Sequence, residues 1–216
     1  MSQQVDYNAF VAMLNAAAEE IRANHELLSQ LDSVGGDGDH GTTMVRAMTK
    51  LVQAVESAQS DDLKTLLHDV GWAILGVDGG ATGPLLGMFF ISMAEAAPNG
   101  GVCTSEGLTA LFAAGLAGVR AQTKAQPGDK TMMDALVPAV EALCNAPPDA
   151  DVCAMMDEAA REARLGAEGT SKMQARFGRA RNIKEQSIGT QDPGATSVAL
   201  IFNGFRKGLQ AYAGRG

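Results

Sequence analysis

The stretch Tyr7–Leu31, YNAFVAMLNAAAEEIRANHELLSQL, decides the fold class. Tyr7, Phe10, Val11, Leu14, Ala17, Ala18, Ile21, Leu28 and Leu31 stand three, four or seven apart, and Glu19, Glu20, Arg22 and Asn24 fall on the other side. That is the apolar stripe of an amphipathic helix. The same period returns at 42–58, 62–76, 83–96, 105–124, 131–145, 150–167 and 194–212, between short clusters of Gly, Asp, Pro and Ser. The pattern predicts an all-α protein of about eight helices with no strand. Thr131 followed by Asp134 resembles a capping box, and Asp192-Pro193 places a capping acid before a proline at the first helical position. Pro138 is expected to bend its helix. No period holds over 168–192, a stretch longer than a simple connection and expected either to carry function or to be disordered.

Composition agrees with one globular domain spanning 1–216, since 46% of the residues are hydrophobic and 19% charged. With 5% aromatic residues, the core is expected to rest mostly on small and straight-chain side chains, as close-packed helices favour. Trp72, Met88, Met93, Met132 and Met133 sit among apolar neighbours and read as core, or as an adaptable wall for a nucleotide base. Seventeen basic against 25 acidic residues leave a net charge of -8, which argues against direct nucleic-acid binding. Cys103, Cys144 and Cys153 form no CxxC pair, so neither a disulfide framework nor a structural zinc site is expected. The first ten residues, MSQQVDYNAF, lack a basic stretch leading into an apolar run, and no segment has the length of uninterrupted apolar sequence a membrane span needs. The expected setting is the cytoplasm.

The densest chemical signal is Leu31-Asp32-Ser33-Val34-Gly35-Gly36-Asp37-Gly38-Asp39-His40-Gly41. Carboxylates this close repel unless a cation neutralises them, and hard oxygen ligands in a glycine-permitted turn suit magnesium or calcium. The alternative is a solvated acidic turn; the third carboxylate favours metal. An EF-hand is excluded, because Thr42 stands where that loop needs glycine and Met48 where it needs a bidentate glutamate. Gly36, Gly38 and Gly41 match GxGxxG, but the match follows a helix rather than a strand and carries Asp37, Asp39 and His40, which do not suit a pyrophosphate cradle. Gly128-Asp129-Lys130-Thr131 is not a Walker A motif, since Thr123 replaces its first glycine.

Two further stretches, Asp78-Gly79-Gly80-Ala81-Thr82-Gly83-Pro84 and Asp192-Pro193-Gly194-Ala195-Thr196-Ser197, run small residues into a helix start. Each reads either as a phosphate seat at a helix N-terminus or as a tight interhelical turn. From Thr170 to Lys184, Lys172, Arg176, Arg179, Arg181 and Lys184 occur with no acidic residue. This reads as a local anion site able to fold over a nucleotide, with a solvated loop or a docking patch for an acidic partner as the alternatives.

The order LDSVGGDGDHG, GGATGPLLG, PGDKTMMDAL, MQARFGRA and SIGTQDPGATS resembles the nucleotide-binding subunit family of dihydroxyacetone kinases, in particular the form that depends on the phosphotransferase system. The resemblance covers roughly residues 31–200. It implies a closed antiparallel barrel of eight helices with nucleotide and two Mg²⁺ ions at one end. By the same resemblance, Asp32, Asp37 and Asp39 hold the metals. His40, Gly41, Thr42, Thr43, Ala81 and Thr82 contact phosphates, and Gly128, Arg179 and Asp192-Pro193-Gly194 close around the rest of the nucleotide. Asp32, Asp37, Asp39 and Arg179 would be the catalytic set.

The implied reaction passes a phosphoryl group to dihydroxyacetone or a related short-chain ketose held covalently on a separate subunit. A tightly bound ADP would be recharged by a phosphohistidine protein. Alternatives are a small subunit of a triose or tetrulose kinase in which ATP exchanges freely, and an ADP-loaded protein that binds a transcription regulator. Two positions depart from the family pattern: Gly35 replaces an aliphatic residue and Val137 a methionine.

Overall fold

The computed structural model describes residues 4–98 and 102–214. Among them are nine α-helices: α1 (Tyr7–Ala23), α2 (His25–Ser33), α3 (His40–Ser57), α4 (Leu63–Leu75), α5 (Thr82–Glu95), α6 (Ser105–Gln122), α7 (Met133–Cys144), α8 (Val152–Gly169) and α9 (Pro193–Ala213). No strand occurs among the described residues, only an isolated bridge between Val5 and Cys103. Every stretch with a helical period is helical, but the first is two helices rather than one. At Asn24 the backbone leaves the helical region (φ −115, ψ 15), and its side-chain amide donates to the Glu20 carbonyl at 2.8 Å. Asparagine competes for backbone partners in this way, and the apolar period running through it conceals the break. The separate α2 then lies against α3, so closely that a Cβ on Gly41 would come within 2.0 Å of the His25 carbonyl oxygen.

Eight of the helices form a closed antiparallel ring: α1 packs on α3, α3 on α4, and so on in chain order to α9, which returns to α1. The closing seam depends on small residues. A Cβ on Gly204 would meet the Ala17 Cα at 2.3 Å, and one on Gly208 the Ala12 carbonyl oxygen at 2.3 Å. Pro138 lies inside α7, where it cannot donate to the Asp134 carbonyl. Gly166 of α8 brings its Cα against that same oxygen, since a Cβ there would lie 2.0 Å from it. A Cα–H contact thus takes the place of the missing bond.

Inside the ring, Phe89, Phe90, Phe112, Phe202 and Phe205 meet mostly edge to face, with centroids 5.6–6.5 Å apart. Five of the seven phenylalanines are therefore concentrated at one place, amid Leu, Met, Ala and Val. Trp72 departs from the expectation of core: it is 56% exposed on α4 and donates its indole N–H to His68 Nε2 at 3.0 Å. No helix among the described residues is long and apolar enough to cross a membrane.

Alternate helices of an antiparallel ring start at the same end, and here the two ends are finished differently. Asp6, Asp62, Thr104 and Asp151 cap α1, α4, α6 and α8 with side-chain acceptors at 2.8–3.2 Å. At the opposite end, the N-cap residues of α3, α5 and α7 provide no side-chain cap; only α9 is capped, by Asp192, which accepts from the Ala195 N–H at 2.7 Å. First-turn N–H groups and positive dipole ends therefore collect at one end of the ring.

Candidate functional site

That end encloses a cavity of about 310 Å³, whose wall takes residues from all four helix starts: His40 at α3, Gly80–Thr82 at α5, Thr131–Met133 at α7 and Asp192–Gly194 at α9. Convergent helix N-termini form a ready anion site. The sequence pattern points to three of these openings, and the start of α7 is the fourth.

The loop between α2 and α3 brings in the acidic side chains. Gly38 adopts φ 77, the left-handed turn that aims Asp37 and Asp39 back towards Asp32. Gly36 sits so close to Asp32 that a Cβ would fall 2.3 Å from Oδ1. One oxygen from each of Asp32, Asp37 and Asp39 lies within 4.8 Å of the others, with Asp32 half-buried and the other two exposed. Asp32 Oδ2 also accepts from the His40 N–H at 3.4 Å, while Asp39, at the N-cap position of α3, makes no side-chain cap. Three adjacent carboxylates with unused oxygens are a donor set that suits a hard divalent cation.

His40 is fixed from the far side. Its Nε2 is 2.7 Å from Ser197 Oγ, and that hydroxyl donates to the Pro193 carbonyl at 3.0 Å. A serine has one proton to give, so His40 Nε2 is the donor to Ser197 and Nδ1 carries the lone pair. Burial lowers its pKa, opposed by Asp32, Pro193 and Asp39. Burial thus favours the neutral ring.

The segment 170–192 is a strap over the cavity rather than a featureless loop. It contains two 3₁₀ turns, Thr170–Lys172 and Arg179–Ser187. Phe177, Gly178, Arg179 and Ala180 line the cavity. Arg179 forms an ion pair with Asp37; this hydrogen bond, chiefly, holds the Asp37 carboxyl below its ordinary range. The broader anion site expected here does not assemble. Arg176 pairs with Asp129 at 3.2 Å, and Lys172, Arg181 and Lys184 are exposed and off the cavity wall.

Of the residues singled out from sequence, Asp32, Asp37, Asp39, His40, Ala81, Thr82, Arg179, Asp192, Pro193 and Gly194 meet in this one cavity. Gly41, Thr42, Thr43 and Gly128 are not part of its wall. Gly41 is buried against α2, Thr42 is exposed on the first turn of α3, and Thr43 is buried with its hydroxyl accepting from Arg46 at 3.0 Å. Gly128 donates its N–H to Asp134, and Val137 is buried in the core. Met132 and Met133 do line the cavity, with Leu85 and Phe177 completing an apolar face.

Lys130 went unassigned in the sequence, yet it is 4% exposed, lines the cavity and adopts a positive φ of 59. A lysine between Asp129 and Asp134 is the one available signal, and nothing in that spacing announces burial. Burial lowers its pKa, opposed by Asp192 and Asp134. Asp192 responds oppositely. Burial, with a smaller push from Asp134, raises it to about 7 against the hydrogen bond from Ala195 and the charge of Lys130.

Residues 34–207 match the DAK2 domain. The chain is 40% identical, over 192 residues, to the PEP-dependent dihydroxyacetone kinase ADP-binding subunit DhaL of Escherichia coli strain K12, covering 88% of this chain and 91% of that one. It is 36% identical to the L-erythrulose 1-kinase of Mycolicibacterium smegmatis over 88% of this chain but 34% of that protein. The crystal structure of the C. freundii dihydroxyacetone kinase in complex with AMP-PNP and Mg²⁺ superposes with a TM-score of 0.71 and 28% identity, over 93% of this chain and 34% of that one.

Proposed function

The chain belongs to the DAK2 domain family, and on that premise we propose that it is the ADP-binding subunit of a phosphotransferase-system-dependent dihydroxyacetone kinase. The observation that carries this reading is the meeting of Asp32, Asp37 and Asp39 with four helix N-termini around one cavity. Carboxylates alone would repel a nucleotide, and helix ends alone would hold an anion without metal. Together they suit a metal–nucleotide complex.

Asp32, Asp37 and Asp39 would hold two Mg²⁺ ions. Magnesium held there would supply charge neutralisation for the phosphate oxygens and for the group in transfer. The starts of α3 and α5 offer their free N–H groups to the phosphates, with Ala81 and Thr82 at the second of these, while the first-turn N–H groups of α7 are already bonded to Thr131 and Met132. His40, locked by Ser197 and with its neutral form favoured by burial, presents a fixed ring edge beside them. Arg179 exchanges its contact with Asp37 for a share in the transferring phosphoryl group, where a guanidinium stabilises charge as it develops. Leu85, Met132, Met133 and Phe177 form the wall for the base. The strap excludes water above them. No residue of this chain serves as general base. The ketose is held covalently on a partner subunit, and a phosphohistidine protein recharges the resident ADP.

Assay of the purified chain with dihydroxyacetone and either ATP or a phosphohistidine donor tests this division of labour. The chain alone is expected to be inert, with turnover appearing when a ketose-binding subunit is added. Turnover by the chain alone would overturn the reading.

A second reading is favoured by the likeness to the L-erythrulose 1-kinase: the same cavity works with exchanging ATP on a short-chain ketose. The two separate on dialysis, which removes an exchanging nucleotide and leaves a resident one.

A further inference from the structure

The strap is anchored at both ends by one side chain. Lys130 projects from the turn between α6 and α7, and its Nζ donates to the Thr170 carbonyl at 2.6 Å and also to the Thr190 carbonyl. Those two residues are where the strap leaves α8 and where it returns towards α9. Around them the contacts are continuous. Thr170 is fully buried and accepts through Oγ1 from the Asp192 N–H at 2.8 Å, and Gly189 donates its N–H to the Ser171 carbonyl at 2.8 Å. From the same turn, Asp129 accepts from the Arg176 N–H at 3.1 Å through its carbonyl and pairs with the Arg176 side chain at 3.2 Å.

Among the described residues, the non-glycine positions with positive φ are Lys130 and Lys184, one in the turn and one in the strap. A left-handed lysine is a conformation held by its surroundings. Here it delivers a buried ammonium to two carbonyls 20 positions apart in the chain.

We propose that Lys130 is a positioning residue for nucleotide retention: by clasping the two ends of the strap, its ammonium fixes Phe177–Ala180 over the cavity and slows escape of the bound nucleotide. The inference rests on the reading that this cavity holds nucleotide. It adds that the residue controlling departure touches neither the metal-binding carboxylates nor Arg179, and acts through the strap's base. Removing its donors cuts the side-chain link between the Thr170 and Thr190 carbonyls and leaves the Asp192–Thr170 and Gly189–Ser171 bonds alone to hold the strap ends together. The effect is expected in the dissociation rate, with association changed little.

The test uses the full chain, Mg²⁺ and a fluorescent ADP analogue, displaced by excess ADP in a stopped-flow instrument. Lys130→Met is expected to release the analogue roughly ten-fold faster or more. Lys130→Arg, which keeps donors in place, should restore most of the retention, a rescue that mere filling of space by Met would not give. A Lys130→Met protein that folds and releases at the wild-type rate overturns the proposal. If that variant does not fold, Arg176→Ala carries the test, since Arg176 is exposed and ties the strap to the same turn: faster release supports the clasp and an unchanged rate overturns it. A wild-type protein that fails to bind the analogue removes the nucleotide reading and the clasp together, an outcome distinct from failure of the clasp alone.

Discussion

Arg179 pairs its guanidinium with the Asp37 carboxylate at the cavity mouth, joining the strap to the acidic loop through two exposed side chains. Pairs so open to water contribute little to stability. On the proposed function the contact is a parked position, from which Arg179 turns to a phosphoryl group while Asp37 turns to a cation. Each partner is available because neither is buried.

Arg179→Met should leave the melting temperature nearly unchanged and lower phosphoryl transfer in the reconstituted kinase by about 10²-fold or more, the scale for losing one charge-stabilising donor. Steady-state rates with the partner subunit present, alongside a thermal melt, check this. Equal loss of rate and of stability would place Arg179 in the scaffold instead.

Asp37→Asn removes one of three carboxylates whose oxygens lie within 4.8 Å. Magnesium affinity should fall by at least about ten-fold, with nucleotide retention falling alongside it. Titration calorimetry with Mg²⁺ and ADP measures both. Full retention by the variant would remove the loop from the metal site.

Asp192 gives a pH signature. Its carboxyl is raised to about 7 by burial, from an ordinary value of 3.8. Between those values the unfolded chain has lost the proton that the folded chain keeps, so this group's contribution makes stability fall as pH rises from about 4 to 7 and level off above. Asn at 192 can still accept from the Ala195 N–H but does not titrate. In nucleotide-free protein with chelator, Asp192→Asn should flatten that fall by roughly 2–4 kcal/mol, read from denaturation at pH 5 and 7.5. Parallel curves for the two proteins would show Asp192 to be ionised throughout.

Gly35 stands where an aliphatic side chain is expected from the resemblance, and the structure gives the position a local reason. A Cβ there would lie 2.7 Å from the Ala180 Cβ and 2.9 Å from its Cα. Gly35→Ala should push the strap outward, hastening trypsin cleavage at Arg179, Arg181 and Lys184 several-fold while the helical core melts as before. An unchanged cleavage rate would mean that the strap does not rest on Gly35.

Local chemistry explains what could be read in advance. The helices were legible because a ring of packed helices needs an apolar stripe on each. The acidic loop was legible because three carboxylates so close in sequence cannot be far apart in space. Asn24 hid its break inside an unbroken stripe. Lys130 was opaque because its importance lies in reaching Thr170 and Thr190, contacts that only the ring brings about. The strap's basic residues misled by proximity: a 3₁₀ turn fans them out, and only Arg179 reaches the cavity. The start of α7 was legible as a capping box, which the structure bears out with Asp134 accepting from the Thr131 N–H at 2.7 Å, but nothing in that spacing placed it in the cavity wall.

The most direct measurement is the nucleotide and metal content of freshly purified, extensively dialysed protein, released by denaturation and identified by chromatography with a magnesium assay alongside. The account predicts near-stoichiometric ADP with about two magnesium ions per chain. Protein that emerges empty and binds neither ADP nor ATP when Mg²⁺ is supplied would contradict it.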